Sequence, residues 1–197
     1  MKISVSAGHN PSGKIACGAC GLLDESRENR LITEEMVNIL KQNGVTVWND
    51  TCNDGTSQNN VLDKCVTRTN SHKVEKSCQN HLNSGRNDYV GDGKQAGFEV
   101  WICSHSAEKD KIAELARKNM AKLGFADRGT KVSKTLKYLN RTTCPAVLFE
   151  VCFVDDMEDY VQYNKVGYKM IAKALAYAMI GKELNMTETN VDTGKQA

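Results

Sequence analysis

An α/β layer architecture built on a largely parallel sheet is the fold this sequence predicts. Two patterns predict it. Short strand-like runs alternate with longer helical periodicities along most of the chain. The most apolar run, Ala146 to Val154, is nearly continuous, as a strand covered on both faces must be. A chain of 197 residues, 40% hydrophobic and 25% charged, suits one globular domain with one substantial core.

The elements follow in order. Ile3 to Ala7 reads as a strand and runs into Gly8-His9-Asn10-Pro11-Ser12-Gly13, so His9 stands where a strand stops. From Glu25 to Asn43 the residues Ile32, Met36, Ile39 and Leu40 recur at i, i+4, i+7 and i+8, which predicts an amphipathic helix ended by Gly44. Val45 to Trp48 reads as a strand, and Val61, Leu62, Cys65 and Val66 predict a helix from about Gln58 to Thr69. The next strand falls by position in Lys73 to Leu82, yet that segment is too polar for the centre of a sheet, and a frayed or distorted strand is expected there.

A polar loop with Gly85, Gly91, Gly93 and Gly97 separates His81 from the strand at Phe98 to Cys103, and loops of such length often carry function. Ala107 to Leu123 places Ile112, Leu115, Ala116, Met120 and Leu123 on one helical face, and Gly124 stops it. The stretch from Gly129 to Asn140 is ambiguous. After the apolar strand, Asp155, Asp156, Glu158 and Asp159 open a helical region, and a last helix from about Gly167 to Ile180 carries Ile171, Ala174, Leu175, Ala178 and Met179. The expected division is one folded domain over 1–182 and a polar tail or linker stub over 183–197, which has little to bury.

A net charge of +2 from 26 basic and 24 acidic residues leaves no basic stripe, which argues against a nucleic-acid partner. No window approaches the roughly eighteen consecutive apolar residues of a membrane helix. Met1 to Gly8 alternates like a strand and lacks the apolar core of a signal peptide. A chain made in the cytoplasm, with most of its eight cysteines as reduced thiols, is therefore expected. Cys17-x-x-Cys20 has no second pair downstream to complete a zinc ribbon, and it reads as structural. No stable protein partner is implied.

Three candidate metal ligands fall just outside regular elements: His9 after the first strand, Glu25 at the start of the first helix, and His81 at a strand end. The carboxyl ends of parallel strands gather on one edge of an α/β sheet, where such folds place their sites. Two imidazoles and a carboxylate leave a fourth tetrahedral position on Zn²⁺ for water, as a hydrolase needs. Taken singly, His9 reads as a strand-end histidine and His81 as a loop residue. Glu150 is a lone carboxylate in an apolar strand, and either a general base or a buried ion pair with Lys or Arg accounts for it. Glu28, a helical turn beyond Glu25, is a rival ligand, although acidity at Asp24 and Glu28 also suits the helix dipole. His72 and His105 read as structural or solvated.

Read together, these segments carry a resemblance. Val5-Ser6-Ala7-Gly8-His9-Asn10 resembles the opening zinc motif of the type 3 N-acetylmuramoyl-L-alanine amidases, the catalytic domains of phage endolysins and bacterial autolysins. Glu25 with Asn29 four residues later, His81-Leu82-Asn83, Arg128-Gly129-x-Lys131 and Pro145-Ala146-Val147-Leu148-Phe149-Glu150 are similar to later segments of that family, in the same order, from about Lys2 to Ile180. The resemblance implies a twisted, mostly parallel sheet of about six strands with helices on both faces. It also implies one Zn²⁺ held by His9, Glu25 and His81, with Glu150 as the catalytic residue. The implied substrate is peptidoglycan, cut between N-acetylmuramic acid and L-alanine. A zinc peptidase or carboxypeptidase on stem peptides, or a non-catalytic wall-binding relative, are the alternatives. One departure stands out: Ser77-Cys78-Gln79-Asn80 precedes His81 where the family has an apolar run, which implies a more loosely held ligand.

Overall fold

Strands that pair in parallel need crossover connections, and the helical periodicities between the strands supply them. The computed structural model describes residues 1–186. β1 (Lys2–Ala7), β2 (Thr46–Asn49), β3 (Lys76–Asn83), β4 (Phe98–Ile102), β5 (Asp127–Val132) and β6 (Ala146–Phe153) form one sheet in the order β2-β1-β3-β6-β4-β5. Around it lie α1 (Glu25–Gln42), α2 (Gln58–Ser71), α3 (Ala107–Lys122), α4 (Lys137–Arg141), α5 (Met157–Val166) and α6 (Tyr168–Met179). All strand pairings are parallel except that of β4 with β6, so the sheet is mostly parallel, as predicted.

Alternation along β6 decides which face each side chain serves. Val147, Phe149 and Val151 join the larger core with Met36 of α1, Ile112 of α3 and Leu175 of α6. Ala146 and Leu148 join a smaller core with Val61 and Cys65 of α2 and Tyr138 and Leu139 of α4. The period of two carries Glu150 onto this second face, beside α2 and α4. Among the described residues, no helix is long and apolar enough to cross a membrane.

β3 corrects the sequence reading. It lies inside the sheet, between β1 and β6, and is buried from Ser77 through Leu82. Its polar side chains are tolerated because they find partners. Gln79 donates from Nε2 to Ser6 Oγ at 3.3 Å, Asn80 donates from Nδ2 to Thr33 Oγ1 at 2.8 Å, and Ser77 Oγ accepts from the Cys144 thiol at 3.4 Å. Irregularity against β6 is confined to the step from His81 to Asn83, where the register shifts.

The ambiguous stretch resolves into β5 and the short α4. The first residues of the expected tail make contacts with α3. Leu184 is 1% exposed and donates its backbone N–H to Asn119 Oδ1 at 2.7 Å, while Glu183 pairs with Lys118 and Lys122. Glu183 and Leu184 therefore pack against α3, and residues 187–197 of that expected tail lie outside the described residues.

Candidate metal centre

Each ligand candidate is delivered by a different element. Asp24 caps α1, its side chain accepting from the Arg27 N–H at 3.0 Å, and this fixes Glu25 in the first turn. β1 ends at Ala7, and the Gly8 N–H still reaches the Asn80 carbonyl at 2.9 Å before the chain turns at His9, whose φ is 66°. A histidine in the left-handed region is uncommon and must be held there by its surroundings. Arg30 Nη2 donates to the His9 carbonyl at 2.9 Å, and Asn10 exchanges hydrogen bonds with the Gly55 backbone at 2.7 and 2.9 Å. β3 supplies His81.

The three side chains converge. Glu25 Oε1 lies 3.2 Å from His9 Nε2 and 2.9 Å from His81 Nδ1, and the two rings meet edge to face with centroids 4.9 Å apart. The offered donor atoms all lie within 4.8 Å of one another, close enough to share one cation. The far nitrogens are engaged: His9 Nδ1 faces Gln58 Oε1 at 3.1 Å, and His81 Nε2 faces Gln79 Oε1 at 3.1 Å. A glutamine oxygen accepts from a protonated nitrogen, so with a cation at the centre each ring can keep its proton on a glutamine and turn the lone pair of His9 Nε2 or His81 Nδ1 inward. Without one, those inner nitrogens hydrogen-bond to Glu25 Oε1. Backbone N–H groups of Ala19 and Leu82 complete the shell of Glu25, at 2.8 and 3.3 Å.

Electrostatics separates the three groups. Burial works to raise the Glu25 carboxyl, but hydrogen bonds and charge from His81 and His9 outweigh it and hold the group well below the ordinary range. Burial also lowers both imidazoles. At His9 the Glu25 contact overcomes it and the pKa rises; at the more deeply buried His81 burial wins and the pKa falls.

Close approach makes two glycines obligatory. A Cβ on Gly8 would stand 2.1 Å from the His81 ring, and one on Gly18, whose φ is +81°, would stand 2.5 Å from Glu25 Oε2 and 2.8 Å from the His9 ring. Gly18→Ala is therefore expected to weaken metal binding about tenfold or more while the fold persists, since a ligand displaced by about 1 Å no longer matches the donor geometry. Competition against a chromogenic chelator measures this, and unchanged affinity would refute it.

A cleft of about 420 Å³ opens over the group, lined among others by His9, Glu25, His81, Asn83, Ser84 and Glu150. Glu150 lies opposite His81 in the β3–β6 register and opposite Glu99 in the β4–β6 register, so His81, Glu150 and Glu99 form a row across the sheet. Glu150 Oε2 is shielded from solvent and has no hydrogen-bond partner. Burial drives its pKa well up, the charges of Glu25 and Glu99 add to this, and Lys131 opposes it. The ion pair that could have explained an acid in this apolar strand lies one strand away: Arg128 and Lys131 both bond to Glu99.

The rival ligand is engaged elsewhere, because Glu28 Oε2 accepts from the Tyr163 hydroxyl at 2.7 Å. His72 stacks on Trp48 and bonds Asp50, His105 pairs with Asp110, and Cys17 and Cys20 are free thiols. Sequence reasoning missed Gln58, Gln79, Gly18 and Glu99. For Gln79 a signal existed, since it precedes His81 by two residues and so shares its face of β3.

Fold and side chains together define a class: a mostly parallel α/β domain whose sheet edge gathers a His, Glu, His group able to hold a divalent cation, beside a second, half-buried acid. The particular family follows from comparison. The chain matches the N-acetylmuramoyl-L-alanine amidase family over residues 3–181 and belongs to it. Among solved structures it is similar to the catalytic domain of the CD27L endolysin targeting Clostridia difficile, with TM-score 0.79 and 28% identity over 94% of this chain and 99% of that one. It shares its fold with the N-acetylmuramoyl-L-alanine amidase AmiC2 of Nostoc punctiforme, with TM-score 0.75 and 20% identity over 91% of this chain and 95% of that one. An uncharacterized protein of Clostridium perfringens (strain 13 / Type A) is 31% identical over 188 residues, which cover 93% of this chain and 53% of that protein. The chain thus spans about half the length of the curated relatives it matches.

Proposed function

We propose that this domain hydrolyses the amide between N-acetylmuramic acid and L-alanine in peptidoglycan, with Zn²⁺ held by His9, Glu25 and His81 and with Glu150 as the catalytic acid–base. The observation that carries this reading is the meeting of those four side chains at one cleft in a chain of the amidase family. The donor set fits zinc: two imidazoles whose inner nitrogens face one ionised carboxylate, each group oriented by a further partner. Bound there, zinc supplies Lewis-acid activation of a carbonyl and of water.

The chain's own residues do the rest. Glu25 stays ionised between the two rings, and Gln58 and Gln79 can accept the ring protons at His9 Nδ1 and His81 Nε2 when a cation takes the inner nitrogens. Glu150 lines the cleft with one carboxyl oxygen, Oε2, shielded from solvent, and this carboxyl can take a proton from the attacking water and deliver it to the departing amine. Ser84 offers a hydroxyl to a polar substrate along the open cleft, beside Asn83, whose amide is held by Glu99.

Mass spectrometry of digested peptidoglycan tests the reaction. Stem peptides with a free L-alanine amine and glycan with uncapped lactyl carboxylates are expected. Cuts within the stem peptide would point instead to a zinc peptidase, and wall binding without soluble product to a non-catalytic relative.

A further inference from the structure

We infer that Glu99 is a positioning residue that holds Lys131 and Arg128 away from Glu150, keeping the Glu150 carboxyl unpaired beside the ligand group. This rests on the reading of Glu150 as the acid–base. Two carboxylates face each other across β4 and β6, Glu99 opposite Glu150, and two cations come from β5. Simple charge balance would give each acid one cation. Glu99 takes both.

Glu99 is 1% exposed and fully saturated. Its Oε1 accepts from Asn83 Nδ2 at 3.0 Å and Trp101 Nε1 at 2.9 Å, and its Oε2 accepts from Arg128 Nε at 2.7 Å and from Lys131 Nζ. Aromatic faces steady both cations: the Arg128 guanidinium lies 4.8 Å from the Phe153 ring centroid, and Lys131 Nζ lies 5.5 Å from that of Trp101. Glu150 Oε2, one strand away, has no partner at all. The field of Lys131 nevertheless reaches Glu150. Without the Glu99 charge, the flexible lysine stem can turn its ammonium to the neighbouring acid, since an unpaired buried cation is costly. A Glu150 locked in an ion pair holds protons weakly and exchanges them poorly.

The test measures kcat and KM on purified peptidoglycan, with metal content and melting temperature, for wild type, Glu99→Gln, Glu99→Gln with Lys131→Gln, and Glu150→Gln. Glu99→Gln is expected to lower kcat about 10- to 100-fold at near-constant KM and metal content, a fraction of what general acid–base catalysis contributes. Adding Lys131→Gln is expected to return kcat to within about threefold of wild type, a rescue that a purely structural role does not predict. Wild-type kcat in Glu99→Gln, or a double variant no faster than the single, overturns the inference. If Glu99→Gln does not fold, Glu99→Asp carries the same test: drawing the carboxylate back by one methylene should give a smaller loss, again reversed by Lys131→Gln, and no reversal overturns the inference. Glu150→Gln separates the two readings. Full activity there removes the acid–base assignment and this inference with it, whereas an inactive Glu150→Gln with no rescue by Lys131→Gln removes this inference alone.

Discussion

Glu150→Gln is expected to leave the domain folded and able to bind metal while lowering turnover about 10²- to 10⁴-fold, the range general acid–base catalysis contributes. The amide is close to isosteric and removes the exchangeable proton. Because Glu150 Oε2 has no hydrogen-bond partner, the substitution breaks no network. A pH-dependent stability difference should accompany the loss. The folded pKa of Glu150 is raised above the ordinary value of 4.5, first by burial and then by the charges of Glu25 and Glu99. The folded state thus binds this proton more tightly than the unfolded state does, and stability falls as pH rises. The contribution of protonated Glu150 is complete below the unfolded pKa and is withdrawn as pH climbs through the folded one. Metal-free wild type should therefore match the Gln variant in acid and become the less stable of the two towards neutrality, by urea unfolding across that window. A Gln variant that digests peptidoglycan at the wild-type rate would remove Glu150 from the reaction.

Much of this molecule is legible in local pattern, and what is not depends on partners far away in the chain. The periodicity through Ile32, Met36, Ile39 and Leu40 predicts α1 almost to its ends, because burial of one helical face is written every three or four residues. His9, Glu25 and His81 could be proposed as a set because each sits at the end of an element, where α/β sheets place function. β3 was misjudged for the opposite reason. Its polarity is visible locally, but the groups that satisfy it, Ser6, Thr33 and Cys144, come from β1, α1 and the turn before β6. Glu150 was ambiguous on the same ground: only the pairing of β4 with β5 shows that Arg128 and Lys131 are taken by Glu99. Gln58 carries no local mark, since it starts a helix like many polar residues and matters because α2 is aimed at His9.

Removing the metal is the other change expected to have a large effect, and Glu25 is the residue that best exposes it. Chelation should abolish turnover and added Zn²⁺ should restore it, with the melting temperature following metal concentration, since a ligand at about 1,000 times its Kd stabilises by about 4 kcal/mol. Glu25→Ala should reproduce the chelated state without chelator. It takes away the carboxylate that His9 and His81 both contact, leaving two neighbouring imidazoles and no anion between them. The pH dependence of binding has a definite sign. Metal and proton compete for His9 Nε2, and because the hydrogen bond and charge of Glu25 raise the His9 pKa despite burial, protons begin to win at a higher pH than at an ordinary imidazole. Zinc affinity should therefore fall as pH drops through the His9 pKa and level off above it, read by chelator competition across that range. His81, whose pKa burial lowers, should add little to this fall. A Glu25→Ala protein that still carried one zinc per chain at full affinity would show that the metal sits elsewhere.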